Sequence, residues 1–291
     1  MITVFTPTYN RAHLLPILYK SICNQSFRDF EWLVVDDGST DSTHELVNKW
    51  SEEASFRIRY IYQENGGKHR AINRGAQEAQ GDLFYIVDSD DKLPYDALES
   101  ISFYYTQIKD DNEFAGVCGL KANFNGELIQ PKVGYEILDC KENDYSFKFK
   151  LLGGKAEVVK TDILRLYPFP EFEGENYCGE SAVWNRIGSK FMFRYFNKIV
   201  CLCEFQSSGL TANSIKSRMQ CPQSAMYIYK DLCSFNVPKS VKIRAAINYW
   251  RFYFCQKKAR RPQISFVFFP LCFLGAAAHF VDLIKLKYCG V

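Results

Sequence analysis

The chain has 291 residues, of which 47% are hydrophobic, 24% charged and 16% aromatic. That is enough apolar material for a sizeable core and excludes wholesale disorder. A formal net charge of +3 does not mark the whole chain as a nucleic-acid binder. The average hides an asymmetry. From Lys239 onward ten Lys/Arg accompany a single acid, Asp282, which leaves 26 basic and 32 acidic residues in 1–238. A basic tail therefore follows a mildly acidic body.

Strand and helix signals alternate through the first hundred residues. Ile2–Thr6 reads as a short buried strand, followed by Pro7 and a helical stretch with Leu14, Leu15, Leu18 and Ile22 on one face. Trp32–Val35 is a second apolar run, ending in Asp36-Asp37-Gly38. Ser42 with Glu45 three residues later has the form of a capping box at the start of a helix through Leu46, Val47 and Trp50. Arg59–Tyr62 is a third strand, Arg70–Ala79 a helix with small residues for close packing, and Leu83–Val87 a fourth strand running into Asp88-Ser89-Asp90-Asp91. Such alternation predicts a parallel sheet with helices on both faces, whose ligands sit beyond the carboxyl ends of the strands. Residues 92–238 are less regular and predict further strands and loops completing a domain over 1–238, with a helical tail over 239–291.

Eleven cysteines are scattered without a CxxC, and Cys201 and Cys203 are poorly spaced for a zinc knuckle or redox pair. The opening residues lack the basic and apolar regions of a secretory signal. Reduced thiols in the cytoplasm are expected.

The polar clusters fall at the predicted ligand edge. If extended geometry persists past the fourth strand, Asp88 and Asp90 point the same way. Carboxylates so placed repel unless a cation neutralises them, and hard oxygen ligands suit magnesium or manganese. The same residues also compose an ordinary solvated acidic turn. Asp36 and Asp37, at a strand-to-helix turn, can accept from a ribose hydroxyl or base N–H, or serve as turn and cap residues. In Glu64-Asn65-Gly66-Gly67-Lys68-His69-Arg70, Gly67 permits close backbone approach before a helix start, while Lys68 and Arg70 supply positive charge. The segment is neither a dinucleotide fingerprint nor a P-loop. Glu171–Glu180 holds four glutamates, and spacing alone does not choose among them.

Thr6-Pro7-Thr8-Tyr9-Asn10, Val35-Asp36-Asp37-Gly38-Ser39-Thr40-Asp41, Asn65–Gly75 and Val87-Asp88-Ser89-Asp90-Asp91, in this order and spacing, resemble the family 2 glycosyltransferases, inverting enzymes of the GT-A fold. A looser likeness continues through Glu175–Ile187 and Gly209–Arg218. The resemblance implies a nucleotide-diphosphate sugar donor, most often a UDP-sugar, and Mn2+ or Mg2+. It implies that Pro7, Thr8 and Tyr9 border the nucleobase and that Asp37, or else Asp36, bonds base or ribose. It further implies that Lys68 faces the donor's nucleotide or phosphates, that Asp88 and Ser89 approach the ribose, and that Asp90 holds the metal against the diphosphate, with Asp91 behind it or as an alternative ligand. Many members carry Glu-Asp after a glycine, with the aspartate as base. Here Gly179-Glu180-Ser181 lacks it, which leaves Glu180 as the expected base and Glu175 as the fallback. Lys216 or Arg218 is expected to close over the diphosphate.

The acceptor expected on family grounds is a hydroxyl of a glycan or lipid-linked molecule in surface polysaccharide synthesis. The competing classes are a nucleotidyltransferase and a degenerate sugar-nucleotide-binding protein. In the tail, a basic, aromatic helix over Lys239–Lys258 precedes the apolar run Phe266–Ile284. That pairing predicts peripheral attachment to the inner face of the plasma membrane, the alternatives being packing on the catalytic domain, a homodimer contact, or a full transmembrane span that Pro270, His279 and Asp282 disfavour.

Overall fold

The apolar runs that open at Ile2 and Phe30 are strands β1 (Ile2–Thr8) and β2 (Phe30–Asp36), buried along their whole length. Strands covered on both faces need no alternation, hence their unbroken apolar pattern. With β3 (Arg57–Tyr62) and β4 (Leu83–Ile86) they make a parallel set in the order β3-β2-β1-β4. Helices α1 (Leu15–Cys23), α2 (Thr43–Glu53) and α3 (Lys68–Glu78) connect them. The register sets Thr8 beside Asp36 and Asp36 beside Tyr62, so the carboxyl ends open at one edge.

The computed structural model describes residues 1–151, 153–204, 214–256 and 263–289. They divide into two compact units, Met1–Pro168 with Lys190–Glu204 and Phe169–Ser189 with Phe205–Val291. The first unit continues with α4 (Ala97–Thr106), β5 (Phe114–Ala122), β6 (Ile137–Lys141), a π-turn at Asp144–Lys148, β7 (Lys155–Lys160), α5 (Thr161–Leu166) and β8 (Met192–Leu202). The finished sheet runs β3-β2-β1-β4-β7-β5-β8-β6, with β7 antiparallel to both its neighbours and β6 antiparallel to β8. On one face Leu15, Leu18 and Ile22 of α1 join Trp32, Val47 and Trp50 in the core. Trp50 stacks on Tyr19 with ring centroids 4.2 Å apart, and the buried Trp32 Nε1 donates to Thr6 Oγ1 at 3.0 Å. On the other face a Cβ at Gly75 would lie 2.1 Å from Phe5 Cε2, so glycine is what lets α3 reach β1.

Four local expectations change. The fourth strand closes at Ile86 rather than Val87. Asp91 N donates to Asp88 O at 3.0 Å, so 88–91 is a turn and the extended-strand argument for Asp88 and Asp90 does not apply. Ser42 makes no side-chain cap on α2; Asp41 Oδ1 instead accepts from Thr43 N at 3.1 Å and Thr43 Oγ1 at 2.6 Å. Finally, α3 begins at Lys68, two residues before the expected Arg70.

The second unit is helical, with α6 (Ser181–Lys190), α7 (Ser214–Gln220), α8 (Pro222–Ser234), α9 (Lys239–Tyr253), a 3-10 turn at Phe266–Leu271 that contains Pro270, and α10 (Cys272–Cys289). Cys233 of α8 and Ala245, Ala246, Tyr249 and Trp250 of α9 share one core with Ile264. The basic helix expected through Lys258 closes at Tyr253.

Candidate active site

The carboxyl edge of β1 and β2 is stitched together before any ligand is considered. Asn10, at a left-handed φ of 52°, donates its N–H to Ser39 Oγ at 2.8 Å, and its Oδ1 accepts from Thr40 N at 2.8 Å. Asp41 Oδ2 accepts from Ala12 N at 3.0 Å. These bonds tie the Pro7–Asn10 segment to the 38–41 turn. Pro7 and Thr8 are buried, Tyr9 is 48% exposed, and Thr8 Oγ1 is buried without a hydrogen-bond partner. A buried hydroxyl left unpaired costs about 1–3 kcal/mol, so such a group at a binding edge is a reason to look for a ligand atom beside it.

Both aspartates of the second motif are buried and already engaged. Asp36 Oδ1 accepts from Ser39 N at 2.7 Å and Oδ2 from Tyr60 OH at 2.6 Å. Burial, then the bond to Asp36, pushes the Tyr60 phenol well above its ordinary range. Asp37 reaches across the edge. Its Oδ1 accepts from Gln63 Nε2 at 2.7 Å and Gly66 N at 2.9 Å, and its Oδ2 from Gly67 N at 2.7 Å. Gly67 sits at φ +97° directly before α3, a conformation that L side chains rarely adopt. Arg70 Nη1 closes the turn by donating to Gly66 O at 2.8 Å. Asp37 thus clamps the loop that launches Lys68.

Lys68 Nζ lies 2.6 Å from Asp88 Oδ1 and 2.8 Å from Oδ2. The expected repulsion within the acidic turn is therefore met in part by protein cations. Arg11 Nη1 stands 3.7 Å from Asp90 Oδ2, and Lys121 Nζ 3.9 Å from Asp91 Oδ2. The balance is uneven. Burial alone would raise Asp88, yet Lys68, with Lys121 and Arg11 farther off, holds it below the usual carboxylate value. Asp90 is raised, by burial and then by the charge of Asp88. Asp91 is buried and pushed up to about 7, by burial and by Asp88, although Cys201 Sγ lies 3.2 Å from its Oδ2. Ser89 is buried in the same turn. The carboxylates that lack full compensation are thus Asp90 and Asp91. Among the described residues no three His, Cys, Asp or Glu side chains converge into a metal cluster. Hard carboxylate oxygens short of positive charge fit a divalent cation that takes its remaining ligands from substrate phosphates and water.

The remaining expected residues belong to the second unit. Glu175 is buried, and its carboxylate accepts from Gln223 N at 2.7 Å and from Ser224 N and Oγ at 2.8 and 2.7 Å. It caps the first turn of α8 from a distant loop, where a negative charge meets the positive end of the helix. Glu180 is half-buried and directly precedes α6, its carbonyl accepting from Val183 N at 3.0 Å and Trp184 N at 3.2 Å. On α7 Lys216 is exposed and Arg218 Nη1 reaches Tyr229 OH at 3.4 Å. The stretch 209–213, part of the looser likeness, lies outside the described residues.

Sequence reasoning gave no role to Asn10 and Asp41, which lie inside the motifs already quoted, and missed Arg11 and Lys121. Arg11 directly follows the first motif, so adjacency was an available signal. Lys121 comes from the middle of the sheet, and only the register of β5 brings it to the acidic turn.

A sequence model described as glycosyl transferase family 2 matches residues 3–167, more than half of the chain. A GalNAc(5)-diNAcBac-PP-undecaprenol beta-1,3-glucosyltransferase of Campylobacter jejuni is 36% identical over 228 residues, covering 74% of this chain and 69% of the relative. Other bacterial glycosyltransferases match over shorter stretches, and the chain spans 14%, 36% and 39% of the length of three of them. Among solved structures, S. aureus TarS 1–349 in complex with UDP-GlcNAc aligns with a TM-score of 0.59 at 18% identity, over 98% of this chain and 80% of that one. The mannosyltransferase PcManGT of Pyrobaculum calidifontis, in complex with GDP-Man and Mn2+, aligns with a TM-score of 0.57 at 18% identity, over 99% and 87%. At such identities the likeness is one of fold.

Proposed function

The chain belongs to glycosyl transferase family 2, and from that premise we propose that it moves a sugar from a UDP-sugar to a hydroxyl of a glycan or lipid-linked acceptor, with inversion at the anomeric carbon. The observation that carries the donor side is the carboxyl-edge cluster. A clamped Gly66-Gly67 loop aims Lys68 at Asp88, beside under-compensated Asp90 and Asp91, and the same carboxyl edge carries the unpaired Thr8 hydroxyl at the end of β1. Pro7, Thr8 and Tyr9 border the base. Asp37 positions the loop and offers what acceptor capacity remains to base or ribose. Asp88 and Ser89 face the ribose, and Lys68 meets the diphosphate while it orients Asp88.

Asp90 would hold Mn2+ or Mg2+, with Asp91 behind it, and the ion would offset the charge that develops on the departing diphosphate. That PcManGT is recorded with Mn2+ supports the assignment. Glu180 accepts the proton of the acceptor hydroxyl as it attacks. Of the two glutamates expected at this step, Glu175 is spent on α8, which favours Glu180. A single displacement inverts the configuration. Lys216 and Arg218 would close over the diphosphate. The undecaprenol-linked substrate named for the Campylobacter relative supports an acceptor of the lipid-linked class, presented at the cytoplasmic face of the membrane in surface polysaccharide synthesis.

The test is Glu180→Gln, assayed by UDP release with acceptor and by UDP binding. A general base contributes about 10²–10⁴-fold, so turnover falls by that factor while UDP affinity stays unchanged. Wild-type turnover in the variant would remove Glu180 from the mechanism.

A further inference from the structure

Helix α10 is amphipathic in the reverse sense. Gly275, His279 and Asp282 are the residues it turns toward α9 and the stretch just after it. A Cβ at Gly275 would lie 2.3 Å from Trp250 Cβ and 2.9 Å from Arg251 N, so the backbones touch there. His279 Nδ1 lies 3.4 Å from Cys255 Sγ. Asp282, 3% exposed, takes Arg251 Nε and Nη2 at 2.5 Å each. Positions 275, 279 and 282 form one helical stripe. The opposite stripe is apolar and open, with Phe266 at 83% exposure in the preceding turn and Phe273 at 80% on α10, joined by Leu274, Phe280, Val281 and Ile284. A helix of a water-soluble surface carries these two faces the other way round, and an apolar patch of this extent marks an interaction site.

Charge identifies the occupant. The single acid of 239–291 is consumed by Arg251, and the charged residues left exposed on α9 and α10, Lys239, Arg244, Lys285 and Lys287, are all cations. A second copy packed across a two-fold axis would set like charges against like. An anionic leaflet complements them. The segment Phe266–Lys287 is 22 residues long, and its most apolar 18-residue window has a mean hydropathy of 1.9 with only 11% of that window buried, which by length alone would allow a span. However, α10 is held along α9, and α9 carries Lys239, Lys242, Arg244 and Arg251. A spanning α10 would draw those cations into hydrocarbon.

We propose that the α9–α10 hairpin is a membrane-docking device that lies in the plane of an anionic bilayer, with the Phe273/Phe280 stripe sunk among the acyl chains and the lysines among the headgroups. This deepens the localisation proposed above, and its test needs no turnover.

Full-length protein is added to preformed vesicles of phosphatidylcholine alone, or of phosphatidylcholine mixed with phosphatidylglycerol, and floated on a density gradient. The wild type floats with the mixed vesicles. The Phe273→Asp/Phe280→Asp variant partitions at least about tenfold less. Lys285→Ala/Lys287→Ala loses about fivefold per lysine, with anionic vesicles only. Donor hydrolysis is measured on the same samples and stays at wild-type level in both variants, so loss of flotation is separable from failure of the transferase reading. The proposal is overturned if the wild type stays at the bottom with both vesicle types, or if the aspartate variant floats undiminished. It is equally overturned if that variant merely converts a dimer to a monomer in sedimentation without changing flotation, since a second copy would then cover the stripe.

Discussion

Replacing Glu175 by glutamine separates a structural carboxylate from a catalytic one. The change is isosteric, so it opens no cavity. The wild-type carboxylate accepts three hydrogen bonds, from Gln223 N at 2.7 Å and from Ser224 N and Oγ at 2.8 and 2.7 Å. An amide keeps one acceptor oxygen and turns an NH2 group toward N–H donors. With the amide oxygen in the Oε2 position both Ser224 bonds survive, and the Gln223 bond is lost at roughly 1.5–3 kcal/mol, together with a charge–helix attraction of about 0.3–1 kcal/mol. The sum is about 2–4 kcal/mol, a sizeable part of the roughly 5–15 kcal/mol that separates a folded domain from its unfolded chain. The melting temperature should fall by on the order of 10 °C, and the amide of Gln223 should lose protection in hydrogen exchange. Below the lowered transition, kcat should stay within about threefold of wild type, well inside the 10²–10⁴-fold effect of removing a base. If Glu175→Gln melts like the wild type yet loses a hundredfold or more in kcat, the proton is taken by Glu175 and the base assignment to Glu180 is wrong.

Three other outcomes follow from the geometry. In chelator, Lys68→Met should be less stable than wild type at neutral pH, and the gap should narrow below pH 3.8, the ordinary Asp88 value. A depressed carboxylate stabilises above its unfolded value and forfeits that contribution as it protonates; parallel pH–stability curves would contradict the pairing. Gly75→Ala, which in a free helix would gain about 1 kcal/mol, should instead destabilise by about 1–3 kcal/mol through overpacking against Phe5, read from urea midpoints; a gain would mean that α3 retreats freely. Cys203, lowered chiefly by its hydrogen bond with Cys201, should be alkylated by iodoacetamide before Cys140 and Cys178, raised to about 12, or Cys233 and Cys255, raised to about 11, mainly by burial. Peptide mapping after a short exposure decides the order.

The first ninety residues were legible because each strand there is a continuous apolar run and each helix shows its buried stripe, as with Leu15, Leu18 and Ile22. Their motifs fall at strand ends, and topology carries strand ends to one edge. What stayed hidden depends on distance along the chain. Nothing near Lys121 announces that its ammonium will approach Asp91, and nothing near Glu175 announces α8, whose first turn it caps 48 residues later. The β5–β8 pairing is interrupted by register shifts, so its strands present no clean period. Ser42 misled for a local reason: its hydroxyl makes no cap bond, and the start of α2 is held instead by Asp41 on Thr43.

The antiparallel insertion of β7 between β4 and β5 also dictates an order of events during synthesis. β1 to β4 leave the ribosome early and can pair at once, but the outer rim of β4 has no neighbour until Lys155–Lys160 emerges, where Leu83 meets Lys160. For that interval the nascent chain exposes unpaired amides and carbonyls on a strand of Leu83, Phe84 and Tyr85, a template for wrong partners. Slow codons placed before residue 155 would lengthen that exposure, and a trigger-factor-like holdase would be most useful there.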